Sequence, residues 1–163
     1  MLHSIGDFER IGDHALNICK TAEEIHTKNT HFSASAAGEI DVLTSAVTEI
    51  LNMTIDSFVN DDTQAARHVE PLEQVVYKLI KELKARHIAR LQNGECTIEL
   101  GFIFSDLLSS IERVSDLCAN VAAYMIEVAD DRLETHIYSH DVRKNGDNYR
   151  QKYESYRQKY LKM

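Results

Sequence analysis

From Thr97 to Asp130 the chain reads TIELGFIFSDLLSSIERVSDLCANVAAYMIEVAD. Leu100, Ile103, Leu107, Ile111, Val114, Cys118, Val121, Met125 and Val128 recur at spacings of three and four, which puts them on one stripe of a long α-helix. Inside this stretch Glu112-Arg113-Val114-Ser115-Asp116, with Asn120 following, repeats a phrase met 103 positions earlier: Glu9-Arg10-Ile11-Gly12-Asp13, with Asn17 following. Each copy sets two carboxylates one helical turn apart, with Arg beside the first and an amide one turn beyond the second. The pair marks an internal repeat.

Working outward, residues 1–27 read as a helix with Ile5, Phe8, Ile11, Ala15, Ile18, Ala22 and Ile25 on its apolar face. Thr27 to Gly38, rich in Thr, Ser and Asn, reads as a loop. A helix is predicted from Glu39 to Val59, and Asn60-Asp61-Asp62-Thr63 supplies a stop and a new N-cap. Val69, Leu72, Val76, Leu79 and Leu83 then follow at 3-4-3-4 spacing, ending at the Asn93-Gly94 C-cap. Pro71 either opens that helix or kinks a longer one begun at Asp62. Tyr149, Tyr153, Tyr156 and Tyr160 form one side of a last amphipathic helix, read as packing on the bundle.

The fold class expected is all-α, an antiparallel bundle of long helices. Residues 39–131 make a complete three-helix unit closed by the second motif. Residues 1–27 carry the first motif as the last helix of an incomplete preceding unit, and residues 132–163 form a basic helical tail. A lone helix with so wide an apolar face needs cover from the complete unit, another copy, or further sequence.

Composition agrees. A chain of 163 residues, 44% hydrophobic, supports one substantial core, and six Gly, one Pro and no Trp leave little turn chemistry for a large sheet. No run reaches the ~18 to 20 apolar residues of a membrane helix, and acids interrupt any N-terminal signal. Cys19, Cys96 and Cys118 lack C-x-x-C spacing, so neither a disulfide framework nor a zinc knuckle is expected; Cys19 and Cys118 read as buried thiols in a reducing, cytosolic compartment. The net charge of −8 argues against nucleic-acid binding. From Arg143 onward seven Lys or Arg face two acids, so a basic tail follows an acidic body and suits an acidic surface or a lipid headgroup layer.

Helical phase turns Glu112 and Asp116 away from their stripe and puts Glu9 and Asp13 at the edge of theirs. Carboxylates at i and i+4 can bridge a hard cation, and the adjacent Arg10 or Arg113 can orient a carboxylate or meet an anion. His14 adjoins the first pair, but Leu117 holds its place in the second. His136 and His140, with Glu134 and Asp141 nearby, can make a separate zinc site. A di-iron enzyme needs Glu-x-x-His on two helices, and only Glu23 to His26 has that spacing.

Asp7-Phe8-Glu9-Arg10-Ile11-Gly12-Asp13-His14, and Asp106-Leu107-Leu108 continuing to Ile111-Glu112-Arg113-Val114-Ser115-Asp116, resemble the signature of PhoU-like proteins, phosphate-uptake regulators built from repeated three-helix bundles. Leu72-Glu73, Arg86-His87-Ile88-Ala89-Arg90-Leu91, Gly94-Glu95-Cys96-Thr97 and Lys159-Tyr160 resemble the soluble C-terminal region of bacterial type II sodium/phosphate cotransporters. The resemblance implies a non-enzymatic regulatory domain involved in phosphate homeostasis, joined to a membrane transporter at the cytoplasmic face of the cell membrane. Separately from the resemblance, the exposed apolar face of the first helix favours self-association, so a homo-oligomer is expected. In PhoU-like proteins the Glu-x-x-x-Asp motifs hold metal clusters, which carries over to Glu9 with Asp13 and Glu112 with Asp116, supported by Arg10, Arg113, Asn17 and Asn120, for Fe, Zn, Mg or Mn. A further acidic pair is implied on the preceding helix, where only Glu73 matches, Tyr77 standing in place of the second acid. A metal-free scaffold whose acids contact a partner is the alternative.

Overall fold

The computed structural model describes residues 2–129 and 146–161, and helix is the only regular structure among them. The elements are α1 (Leu2–Thr27), α2 (Ala34–Asn60), α3 (Thr63–Ala66), α4 (Val69–Gln92), α5 (Ile98–Ala129) and α6 (Asp147–Tyr160). Among the described residues no helix is long and apolar enough to cross a membrane.

The seam read on α4 is the heart of the core: Val69, Leu72, Val76, Leu79 and Leu83 are all fully buried, against Leu43 and Ile50 of α2 and Phe104 and Leu108 of α5. Each such side chain contributes ~1.5–3 kcal/mol by leaving water. Directions follow from paired residues. Glu39 of α2 meets Arg90 of α4, and Lys84 of α4 meets Glu112 of α5, so consecutive long helices run antiparallel. Along α1, Lys28 meets Glu99 at one end, while His14 and Asn17 lie across from Glu112 and Asp116, which sets α1 antiparallel to α5. The cover needed by the first helix therefore comes in part from the complete unit, chiefly from α5.

Helix ends obey local chemistry. The Ser33 hydroxyl accepts from Ala36 N, so α2 begins at Ala34, five residues before the predicted Glu39, and takes in much of the supposed loop. Asp62 caps α3 by accepting from the amides of Gln64 and Ala65. The Pro71 ambiguity resolves as two helices: α3 stops at Ala66 and α4 starts at Val69, with Pro71 in its first turn where no backbone donor is lost. At the far end Gly94 takes φ of +72°, Glu95 N donates to Arg90 O and Gly94 N to Leu91 O, a Schellman motif at the predicted cap.

Other expectations need correction. Ile5, assigned to the apolar face of α1, is 62% exposed, and Ala15 and Ala22 are exposed too. Cys19 is exposed, whereas Cys118 is buried and its thiol is pushed up to about 11 by burial. Val128, last in the α5 stripe, is exposed because it overruns the packed length. The tyrosine face of α6 does pack on the bundle: Tyr156 and Tyr160 are buried, Tyr160 donates to Glu49 of α2, and Lys78 of α4 donates to Tyr153. Of the basic tail, Lys159 docks on the acidic body through Glu49 at 2.7 Å. His136 and His140, with Glu134 and Asp141, lie outside the described residues.

Candidate functional site

The second motif lies in a cleft of about 430 Å³ between α1 and α5, lined by His14, Asn17, Ser109, Ser110, Glu112, Arg113 and Asp116. The α5 stripe anchors its floor: Ile111, Val114 and Ser115 are buried, so Glu112 and Asp116 emerge at the margin of the core. Neither points freely away from it, as helical phase alone suggests, because α1 and α4 flank them. Glu112 is 27% exposed and accepts from Lys84 Nζ of α4 at 2.7 Å. Asp116 lies 3.5 Å from Arg113. Burial pushes the Asp116 carboxyl above its ordinary value, the neighbouring Glu112 adds to this, and Arg113 opposes it.

The first motif is arranged differently. Glu9 and Asp13 are exposed, and neither forms an ion pair among the described residues. Arg10 reaches back toward Asp7 at 3.8 Å, whereas Arg113 reaches forward to Asp116. What α1 brings to the shared cleft is one turn further on: Asn17 and His14, whose Nδ1 is buried without a hydrogen-bond partner.

Glu73 does not join these residues. It accepts from Gln74 and lines a second cleft of about 330 Å³ with His68, Glu70, Asn120 and Tyr149, under the start of α6. Asn120 is one turn beyond Asp116 on α5, roughly 6 Å along the axis, and lines the second cleft instead of the first. Among the described residues no three His, Cys, Asp or Glu side chains are grouped closely enough to hold a metal ion. The donor set therefore does not fit a multinuclear cluster: Glu112 is already neutralised by a lysine, Glu73 opens elsewhere, and residue 77 is Tyr. The site residue that sequence reasoning misses is Lys84. Its signal was helical phase: Lys84 follows the buried Leu83 and lies one turn before the buried His87, which places it at the edge of the core face of α4.

The cleft can hold a cation between two acids or receive a donor from a partner. Ser109 Oγ is turned back to its own helix, donating to Ser105 O at 2.9 Å. Fold and cleft together define an α-helical bundle carrying a repeated acidic motif on two packed helices. Residues 40–125 match the PhoU domain, and the chain belongs to that family. It is 24% identical over 153 residues to the phosphate-specific transport system accessory protein PhoU of Serratia marcescens, covering 88% of this chain and 62% of that protein. It is 21% identical over 122 residues to the phosphate-specific transport system accessory protein PhoU homolog 1 of Thermotoga maritima, covering 75% of this chain and 52% of that protein. The chain thus spans between half and two thirds of the length of these relatives. No solved structure gives a significant match.

Proposed function

We propose that this chain is part of a non-enzymatic regulatory domain that acts with a phosphate transporter, at the cytoplasmic face of the membrane, as a homo-oligomer. The observation that carries the reading is its PhoU domain, together with relatives named as accessory proteins of phosphate-specific transport. The resemblance to the C-terminal region of sodium/phosphate cotransporters makes that transporter class the partner of choice. In this reading Glu112, Asp116, Glu9 and Asp13 are contact acids for the transporter, and the basic residues of α6 other than Lys159, which is held by Glu49, face anionic surface. The test is phosphate uptake by cells carrying the transporter with wild-type protein or with Glu112→Gln/Asp116→Asn. Uptake that no longer responds to phosphate supply, while transport itself persists, supports the reading; an unchanged response sinks it.

A second reading has one observation in its favour. Burial and the neighbouring Glu112 raise the cost of ionising Asp116, and a single divalent cation between the two carboxylates relieves that repulsion. Elemental analysis after mild dialysis, comparing wild type with Glu9→Ala/Asp13→Ala and Glu112→Ala/Asp116→Ala, tests it. Stoichiometric metal lost only in the second variant is the expected result; no metal in any sample leaves the acids as partner contacts.

A further inference from the structure

The cleft of about 330 Å³ under the start of α6 contains none of the motif carboxylates, and its chemistry differs from theirs. Its size falls at the lower end of the ~300–1,000 Å³ that small-molecule sites occupy. One wall is apolar and shallow, because α5 lines it with Ala119, Ala122 and Ala123 beside the buried Ile126. From α6 comes Tyr149, half-buried. An alanine wall and an aromatic ring suit a planar ring system. The polar groups are of both signs and are graded along α4. Arg67 and His68 stand at its start, His68 in the N-cap position without a side-chain capping bond. Burial and then the charge of Lys152 lower the His68 pKa, against the opposing Asp62, so a further cation is near. Glu70 and Glu73 follow, Glu73 lying five residues, or ~7.5 Å, beyond His68 along the axis. Tyr149 sits by both acids, whose charges add to burial in holding its phenol protonated. Glu73 accepts from Gln74, but a carboxylate has lone pairs for further donors.

We propose that this cleft binds a purine nucleoside monophosphate bearing an exocyclic amino group, with its phosphate toward Arg67 and His68 and its amino edge toward Glu70 and Glu73. Each part of the ligand answers one part of the cleft. The guanidinium and imidazole, with Lys152 close by, give the anion charge-assisted donors. The alanine wall and Tyr149 take the ring. The two carboxylates accept from the amino group, and a base without one leaves them unpaired in a partly dry cleft, at a cost in affinity. Inorganic phosphate fills only the cationic end and meets the repulsion of both acids without any compensating contact.

The test is calorimetric titration of the 163-residue chain with AMP, GMP, inosine monophosphate, ribose 5-phosphate and inorganic phosphate. AMP or GMP should bind once per chain, and the three ligands without an amino group about tenfold more weakly or less. Ala123→Leu fills the cleft and should abolish binding. Glu73→Gln, at a half-buried rim position, should weaken AMP or GMP about tenfold and leave inosine monophosphate unchanged. Circular dichroism confirms that each variant is folded, and Glu73→Gln carries the test alone if Ala123→Leu is not. Absence of AMP and GMP binding at millimolar concentration overturns the proposal. Inorganic phosphate bound as tightly as either nucleotide also overturns it, since the cleft is then an anion site only. So does nucleotide binding that Glu73→Gln leaves undiminished, which places the ligand elsewhere.

Discussion

Lys84 of α4 and Glu112 of α5 are joined across the bundle at 2.7 Å, so one acid of the second motif carries its own counter-ion. The first motif has no such partner among the described residues. Two copies of one phrase therefore differ in charge state as presented to a ligand.

Replacing Lys84 by Gln should cost little stability, ~0–1 kcal/mol, because the pair is partly exposed. It should strengthen Mn²⁺ binding at Glu112 and Asp116 by removing a competing cation. Urea unfolding and calorimetric titration check both parts. Unchanged or weaker binding would mean that Lys84 does not guard these acids.

The interior holds a second pair of greater weight. Arg90 donates to both carboxylate oxygens of Glu39, at 2.8 and 3.1 Å, and both residues are buried, with Arg86 adding a contact at 3.3 Å. Arg90→Met leaves Glu39 with only Arg86 and should cost toward the lower end of ~3–5 kcal/mol. Glu39→Leu with Arg90→Met should recover most of it. Urea midpoints of the single and double variants decide, and a double variant as unstable as the single one contradicts the account.

His87 sits beneath this pair, stacked on Phe104 at 4.5 Å, with its Nε2 buried and unpartnered. Burial, then Arg90, lowers its pKa below 6.5, although Glu39 and the Gly101 backbone oppose them. The unfolded chain then binds the proton more readily, so stability present above pH 6.5 should be lost as pH falls below it. His87→Gln should flatten that slope in urea unfolding between about pH 5 and 7. An equally steep slope would assign the loss to other groups.

Much of this was legible in the sequence because it is periodic. The seam of α4, the stripe of α5 and the Gly94 cap follow from spacing and glycine chemistry alone. What escaped depends on which helix lies opposite. Periodicity shows that α1 has an apolar face but not which part of it α5 covers, so Ile5 and Cys19 were misplaced. Ser33 outweighed the loop-like composition after it because a hydroxyl that caps an orphan amide starts a helix earlier than a residue count suggests. The separation of Glu73 from Glu112 and Asp116 required the register of α4 on α5, and that register is set by core packing, not by the motif.

Asp116 gives the sharpest separation of structural from functional acids. Its folded pKa is raised above 3.8 by burial and by Glu112, so the folded state holds the proton longer than the unfolded chain does. Stability from this group is thus full below pH 3.8 and declines as pH rises through the folded value. Asp116→Asn should leave the protein as stable at neutral pH as wild type or slightly more so, the lost contact with the exposed Arg113 being weak. It should at the same time impair phosphate-responsive regulation. Thermal unfolding at neutral pH checks the first part. A clear loss of stability there would mean that the Arg113 contact outweighs the electrostatic cost, and would move the motif from partner recognition to scaffold.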